Sequence, residues 1–431
     1  MSSPARASWP KVVSSRPSTG VALAWTEGVI AAIVVILFSD AVIGPVFDPN
    51  QTGGDQVGWL RLIWIPAYAA IVVLSLRRYR RLGRFWAPGL LLLAMVAWAA
   101  ISVLWAEEPA ITLRRSIALA FTTLFGFYLA SARDGRGLAE LLAATFGVLA
   151  AASLVVCLAD PSFGVHQHVN AGDWKGLWYE KNQMGSLMTQ GVLAATVAAT
   201  LSARRRRLWI ATAALCAFMV VMSRSATDLF MLAAVLLGLA VLHAARRGPV
   251  FAVIGAWICV TLAGLLAAAA ALWPDHFYRA IGKDPTLTGR TDIWVIVGHW
   301  IAKAPWLGYG YGGFWARNSP PAQYIRDELG WLVPNAHNGW LDLLLQLGIV
   351  GAIVAAVVFA LAVAAALFRG SRLKDGYWSV MFLITFAFAT VSESVILQEN
   401  NLAWVLCAAA MARLLGPAPA APARPQLRLV A

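Results

Sequence analysis

One histidine in the sequence combines a general-base side chain with a helix-start signal. His337 lies in the run Val-Pro-Asn-Ala-His-Asn at residues 333–338, directly before a long apolar segment. Proline and asparagine are typical of a helix start, so we predict Asn335 as the N-cap and His337 in the first turn. A neutral imidazole can accept a proton from a hydroxyl. His337 is therefore a candidate catalytic base, and an imidazole that merely reaches the membrane interface is the alternative.

Three cationic side chains are candidates for binding a phosphate group. Arg290 lies in Leu-Thr-Gly-Arg-Thr-Asp at 287–292, a turn rich in hydroxyl and backbone donors, and arginine binds phosphate through two prongs. Arg224 lies in a short turn between two apolar segments, and Lys181 enters another such segment after Trp-Tyr-Glu. Each has a structural alternative. Arg290 could pair with Asp292 or Asp284, Arg224 could pair with Asp228, and Lys181 could anchor its segment at the membrane interface.

These residues must be positioned by membrane-spanning elements. The 431 residues are 60% hydrophobic and 13% charged, with a mean hydropathy of +0.69, whereas a soluble protein of this size needs a more charged surface. About twelve segments have the roughly 20 apolar residues that a span needs. Their centres lie near residues 30, 67, 97, 122, 148, 193, 215, 236, 261, 353, 386 and 408. Because lipid satisfies no backbone polar group, we predict an all-α polytopic membrane protein.

The basic residues predict the orientation of these spans. With the N-terminus inside, every inner connection carries Arg or Lys, from the arginines at 77–84 to those near 370. This is the positive-inside bias, so the net charge of +13 reflects topology and does not indicate a nucleic-acid site. We expect residues 1–20 to be a cytoplasmic polar tail, 21–415 one transmembrane domain, and 416–431 a disordered cytoplasmic tail.

The outer segment 274–338 is far longer than a connection requires, which is typical of a functional loop. Within it, Asp292–Lys303 has an apolar face with helical spacing, and we predict an amphipathic interfacial helix with Thr291 as its cap. Four aromatic residues of the loop could stack on sugars or pack together: Trp294, Tyr309, Tyr311 and Trp315.

Metal ligands are not evident in the sequence. His166 and His168 form a His-x-His pair without a carboxylate or Cys at ligand spacing, and the four cysteines are dispersed among apolar segments. The outer segments also contain no Asp-x-Asp pair. We therefore expect no metal and no cofactor, with any pyrophosphate handled by Arg and Lys.

Several runs together resemble the bacterial O-antigen ligase and polymerase family. They are PTLTGRTDIW, APWLGYGYGGFW and NAHNGWLDLLLQLGIVG, with WYEKNQMG and MSRSATDLF as further motifs between about residues 170 and 355. The resemblance implies a twelve-helix inner-membrane protein whose active site faces the periplasm. By position it implies that the essential histidine is His337 and that the phosphate-binding residues are Arg224, Arg290 and Lys181.

The expected function follows from this resemblance. It is metal-independent glycosyl transfer, with inversion, from a glycan on undecaprenyl pyrophosphate to an acceptor hydroxyl on a lipid-linked repeat unit or on lipid A-core. Membrane lipids are the other expected partners, and nucleic acid is not. The forms GYGYGGFW and EKNQMG favour an exopolysaccharide polymerase modestly over a ligase. A transporter or flippase of lipid-linked glycans is the alternative, although few charged residues lie within the spans.

Overall fold

The computed structural model describes residues 19–47, 60–168, 170–273, 276, 290–370 and 376–417. These residues form helices and connecting turns, with one isolated β-bridge between Val165 and Trp174. Most of the predicted tails at residues 1–20 and 416–431 lies outside this part of the chain. So does most of segment 274–289, including Asp284.

Fourteen helices of ten or more residues organise the described chain, and we number them in order. They are α1 Thr19–Phe38, α2 Leu60–Arg77, α3 Trp86–Ile101, α4 Pro109–Ala132, α5 Gly135–Ala159, α6 Lys181–Leu201, α7 Arg206–Ser223, α8 Ala226–Ala245, α9 Pro249–Leu272, α10 Arg290–Lys303, α11 Pro320–Leu329, α12 Gly339–Ala365, α13 Tyr377–Ser392 and α14 Leu402–Leu415.

The helical membrane fold predicted from the sequence is confirmed. Eight helical segments are long and apolar enough to cross a membrane, and four shorter apolar helices accompany them within the described residues. Each of the predicted span centres falls inside one of the helices α1 to α9 or α12 to α14. Large apolar side chains such as Val148, Val155 and Trp257 point outward and are more than half exposed, as a lipid-facing surface requires.

The core of the bundle is built around α14, which is buried on nearly all sides. Gly126 of α4 lies against the Val405 carbonyl and the Ala408 methyl of this helix. Small residues at such a crossing let two helix backbones approach closely, which is how helices pack in a membrane. The closely packed helices α4 and α14 therefore form the centre around which the other helices pack.

The predicted amphipathic helix of the long loop is present as α10. Its apolar face belongs to a second hydrophobic cluster, in which Ile293 and Val297 are fully buried together with residues of α11 and the following turn. The face therefore packs on protein. Thr291 was predicted to cap this helix, but that prediction is wrong because the helix begins at Arg290 and includes Thr291.

A break in α12 fastens the loop to the bundle. Gly348 has φ 64° and ψ −170°, which interrupts the helical hydrogen bonds around it. The carbonyls of Leu345 and Gln346 accept the N–H groups of Tyr309 and Gly310, and Ile349 donates to the carbonyl of Pro305. Because lipid offers no partner for the freed backbone groups, the loop supplies them. The glycines of the GYGYGG run permit this close approach.

Candidate active site

His337 lies just before α12 and not in its first turn, which corrects the prediction. Asn338 is the N-cap, and its Oδ1 accepts the backbone N–H groups of Trp340 and Leu341 at 3.0 and 3.1 Å. Asn335 was predicted in that role, but its Oδ1 instead accepts the His337 N–H at 2.9 Å. This local turn holds His337 in the left-handed region, at φ 48°.

A buried carboxylate of α12 fixes the backbone beside His337. Asp342 is 4% exposed, and its Oδ1 accepts the Trp315 indole N–H at 2.6 Å. The Ala336 N–H donates to both carboxylate oxygens, at 3.3 and 3.2 Å. One turn further on, Gln346 Oε1 accepts the Gly312 N–H at 2.7 Å. The polar side chains of Asp342 and Gln346 on α12 therefore face the loop and anchor it.

Glu393, directly after α13, connects His337 with Arg290. The Arg290 Nη2 donates to Glu393 Oε1 at 3.0 Å, and its Nη1 donates to the Ser392 carbonyl. The other carboxylate oxygen, Oε2, lies 3.9 Å from His337 Nδ1. Partial burial raises the pKa of Glu393, but His337 and Arg290 outweigh burial, and the pKa is below its usual value. Glu393 is therefore an anionic link between an imidazole and a guanidinium.

Asp173 forms a second link of the same kind. Its Oδ2 lies 2.6 Å from Lys181 Nζ and its Oδ1 lies 3.5 Å from Arg224 Nη1. Asp173 is 7% exposed, and the Arg224 side chain is 68% exposed. Arg224 also has a left-handed backbone at the end of α7, with φ 49°. Asp228 was one of the two explanations considered for Arg224, and the structure shows an ion pair of Arg224 with Asp173.

Both links lie at the same end of the bundle. Phe230 of α8 contacts Phe388 of α13, and Tyr377, at the other end of α13, donates to the Leu242 carbonyl. The two helices are therefore antiparallel, and the start of α8 lies beside the end of α13. At 1.5 Å per residue, the ends at Ala226 and Ser392 are each roughly 6 Å from the contact between the rings. Arg224 and Glu393 thus emerge on one face.

The start of α6 joins this face through a tight contact. Gly185, one turn after Lys181, packs on the Asp228 side chain in the first turn of α8. The start of α12 joins it as well, because Asn338 Nδ2 donates to the Val391 carbonyl at 3.2 Å. All four residues singled out in the sequence therefore lie at one end of the bundle, as two carboxylate-linked pairs: His337 with Arg290, and Lys181 with Arg224.

The two linking carboxylates were missed by sequence reasoning. Glu393 had a weak signal, since a carboxylate follows directly after an apolar span in Ser-Glu-Ser at 392–394. Asp173 lies in the polar segment 160–183, which is unusual in its His, Trp and Gly content. Neither position has a spacing that relates it to His337 or to the cationic residues, so only the helix packing reveals the partnerships.

The four aromatic residues considered for sugar stacking are engaged in the protein. Tyr311 and Trp315 are 3% and 7% exposed. Trp294 donates its indole N–H to the Ala336 carbonyl at 2.9 Å, and the Tyr309 hydroxyl donates to the Trp300 carbonyl at 3.0 Å. Of the two interpretations left open by the sequence, packing is the one that these contacts support.

Within the described part of the chain, no group of three or more His, Cys, Asp or Glu side chains is arranged to hold a metal ion. His166, half of the His-x-His pair, accepts the backbone N–H of Lys181 on Nε2 at 3.3 Å. It therefore supports the start of α6 and the Lys181 position.

Comparison with known proteins identifies the same region. Residues 210–356 match the family described as O-Antigen ligase, and this range includes Arg224, Arg290 and His337. The chain is also similar to the Exopolysaccharide production protein ExoQ of Rhizobium meliloti (strain 1021), with 27% identity over 323 residues, or 69% of this chain and 68% of the relative. The resemblance to the O-antigen ligase and polymerase family is thereby confirmed.

Proposed function

We propose, because the chain is related to the O-antigen ligases through residues 210–356, that it is a membrane glycosyltransferase of surface-polysaccharide assembly. It moves a glycan from undecaprenyl pyrophosphate to an acceptor hydroxyl. The observation that carries this proposal is the arrangement of an imidazole, a carboxylate and a guanidinium in which Glu393 lies between His337 and Arg290. A base beside a phosphate-binding cation is what transfer from a pyrophosphate requires.

His337 is the proposed general base. Its Nδ1 faces Glu393 at 3.9 Å, beyond direct hydrogen-bond range. A bridging water, or a small movement of the two side chains towards each other, lets Glu393 hold the proton on Nδ1. The lone pair of Nε2 is then available to accept a proton. Nε2 takes the proton of the acceptor hydroxyl as the oxygen bonds to the anomeric carbon. Glu393 stabilises the imidazolium that forms. The bond between the anomeric carbon and the pyrophosphate oxygen breaks on the opposite face, so the configuration inverts.

Arg290, Arg224 and Lys181 are the proposed pyrophosphate ligands. A guanidinium has five N–H donors, so the contacts of Arg290 with Ser392 and Glu393 leave donors for phosphate oxygens. Arg224 is largely exposed and adds a second guanidinium on the same face. These positive charges stabilise the negative charge that develops on the leaving pyrophosphate. The proposal needs no metal, because the cationic side chains supply this stabilisation.

The proposed location follows the charge distribution of the sequence. The basic connections lie in the cytoplasm, so both termini are cytoplasmic and the face with Arg290 and His337 opens to the periplasm of the bacterial inner membrane. Single cysteines at positions 290 and 337 test this orientation. Labelling by a membrane-impermeant thiol reagent from the periplasmic side is expected, and labelling only from the cytoplasm contradicts it.

The resemblance to an exopolysaccharide production protein favours a polymerase over a ligase. Purified protein incubated with lipid-linked repeat units alone is expected to extend the glycan chain. Growth only after lipid A-core is added would instead identify a ligase.

The variant His337→Ala tests the enzyme itself. We expect it to lose transfer by about three orders of magnitude while still binding undecaprenyl pyrophosphate, because general-base catalysis contributes about 10²–10⁴-fold. If the wild-type protein makes no product, and the His337→Ala variant still moves lipid-linked glycan across a bilayer, the protein is a transporter.

A further inference from the structure

One aromatic side chain next to His337 is exposed at the protein surface. The indole of Trp331 lies with its ring centroid 6.5 Å from that of the His337 imidazole, and the two planes differ by 28°. Trp331 is 45% exposed, and the neighbouring Leu332 is 77% exposed. An open apolar surface of this kind directly beside a polar site is typical of a ligand-binding surface.

The turn that presents Trp331 is firmly held. Gly330 ends α11 in the left-handed conformation, at φ 73°. Arg326 Nη2 donates to the Trp315 carbonyl at 3.0 Å, and its Nε donates to the Val333 carbonyl at 3.3 Å. Val333 itself is fully buried in the second hydrophobic cluster. The backbone on both sides of Trp331 is therefore fixed, and the exposure of the indole is a property of the folded loop.

Trp331 differs from the other aromatic residues near the site. Tyr311 and Trp315 are buried, and Trp294 uses its indole N–H on the Ala336 carbonyl. Trp306 is exposed as well, at 67%, but it lies at the break of α12, where its carbonyl contacts Gly348. Trp331 is thus the exposed indole that stacks on the imidazole.

We propose that Trp331 is the platform on which a sugar ring of the acceptor glycan stacks. The inference rests on the proposed function, because it assigns the acceptor to the base at His337. The C–H face of a pyranose is apolar and lies flat on an indole, while its hydroxyls project from the ring edge. A sugar held on Trp331 therefore brings a hydroxyl to the neighbouring imidazole, and Leu332 extends the apolar surface. The pyrophosphate of the donor is held separately by the cationic side chains.

Binding measurements test this subsite without relying on turnover. The background is His337→Ala in nanodiscs, and the probes are a repeat-unit oligosaccharide released from the source strain's polysaccharide and undecaprenyl pyrophosphate. Adding Trp331→Ala is expected to weaken oligosaccharide binding about ten-fold, the magnitude of one aromatic stacking contact, and to leave undecaprenyl pyrophosphate binding unchanged. Trp331→Tyr, which keeps an aromatic face, is expected to retain most of the affinity.

Trp306→Ala is the matched control, since it removes another exposed indole of the same loop. We expect it to leave oligosaccharide affinity unchanged. Equal weakening by Trp306→Ala would show that exposed tryptophans only anchor the loop at the membrane and would overturn the proposal. Unchanged oligosaccharide affinity in the Trp331→Ala variant would also overturn it.

Transfer assays separate this inference from the proposed function. In the His337-containing protein, Trp331→Ala is expected to raise the KM for the acceptor about ten-fold and to change kcat much less. If the wild-type protein transfers no glycan but oligosaccharide binding still depends on Trp331, the proposed function fails and the glycan subsite stands. If transfer depends on His337 and not on Trp331, the proposed function stands and the subsite is wrong.

Discussion

The carboxylate oxygen Oε2 of Glu393 lies 3.9 Å from Nδ1 of His337. Glu393 follows α13, whereas His337 precedes α12, and the contact forms because the Asn338 side chain joins the two helix ends through the Val391 carbonyl. Among the residues that the structure describes, the buried Nδ1 of His337 has no direct hydrogen-bond partner, and the Glu393 carboxylate is the anion that faces it. The relationship gives the proposed base an orienting anion, as in nucleophile–base–acid arrangements of other enzymes.

Replacing Glu393 by Gln is expected to lower kcat. The amide keeps the shape of the side chain but no longer stabilises an imidazolium at His337 or neutralises Arg290. Misplacing a catalytic group by about 1 Å can cost about 100-fold in rate, and we expect kcat to fall by about 10–100-fold with little change in KM. Glu328→Gln, an exposed carboxylate on α11, is the control. A kcat equal to that of Glu328→Gln would contradict the role assigned to Glu393.

The stability of the protein should also depend on pH through Glu393. Its pKa is lowered in the folded state from the ordinary value of 4.5. Its contribution to stability is therefore present above the unfolded-state pKa and is lost as pH falls through the lower folded-state pKa. In detergent, Tm of the wild type should exceed that of Glu393→Gln at pH 7, and the difference should shrink as pH falls below about 4.5. A difference that grows at acidic pH would contradict this assignment.

Lys181→Ala and Arg224→Ala should separate stability from binding. Lys181 is 18% exposed and pairs with the buried Asp173, so its removal leaves a buried charge poorly compensated and should cost about 2 kcal/mol. Arg224 is 68% exposed, so its removal should change stability by less than about 0.5 kcal/mol. Both variants should bind undecaprenyl pyrophosphate about ten-fold more weakly. Thermal unfolding measures the change in stability, and undecaprenyl pyrophosphate titration measures the change in binding. An equal loss of stability in both variants would contradict the structural role assigned to Lys181.

Asp342 is expected to be a positioning residue for His337. Asp342→Ala removes the acceptor of the Trp315 indole and of the Ala336 N–H, so the backbone before His337 should lose its fixed geometry. We expect kcat to fall about 10-fold or more, with undecaprenyl pyrophosphate binding retained. Asp342→Asn keeps one acceptor oxygen and should recover part of the activity. If Asp342→Asn and Asp342→Ala are equally active and equally stable, Asp342 does not position His337.

Gly348→Ala is expected to destabilise the fold. At φ 64° and ψ −170° an L-residue is strained, and a Cβ at this position would collide with the Trp306 carbonyl. Backbone strain of this kind costs about 1–3 kcal/mol before the collision is counted. Gly264→Ala in α9 is the control, because nothing lies within 4 Å of its would-be Cβ. Monodispersity and Tm in detergent report the effect, and equal behaviour of the two variants would refute it.

The membrane fold could be predicted because its signals are local. Apolar length indicates each span, and the period of apolar residues in Asp292–Lys303 indicates α10 even outside the spans. Boundaries were less predictable. The helix after His337 begins at Gly339 because Asn338 accepts the first N–H groups of the helix, whereas Asn335 accepts the N–H of His337. Both residues are asparagines, so residue type alone does not tell which of them is the N-cap.

The sequence by itself determined the spans, the amphipathic helix, and the choice of His337, Arg290, Arg224 and Lys181 as residues with suitable chemistry. The tertiary structure alone decided their partners. Arg290 and Glu393 are 103 residues apart, and Lys181 and Arg224 share Asp173 only because α6, α7 and α8 bring their ends together. Hydrophobic length and helical period act within one segment, whereas an ion pair depends on which helix ends meet, and that is set by packing across the whole bundle.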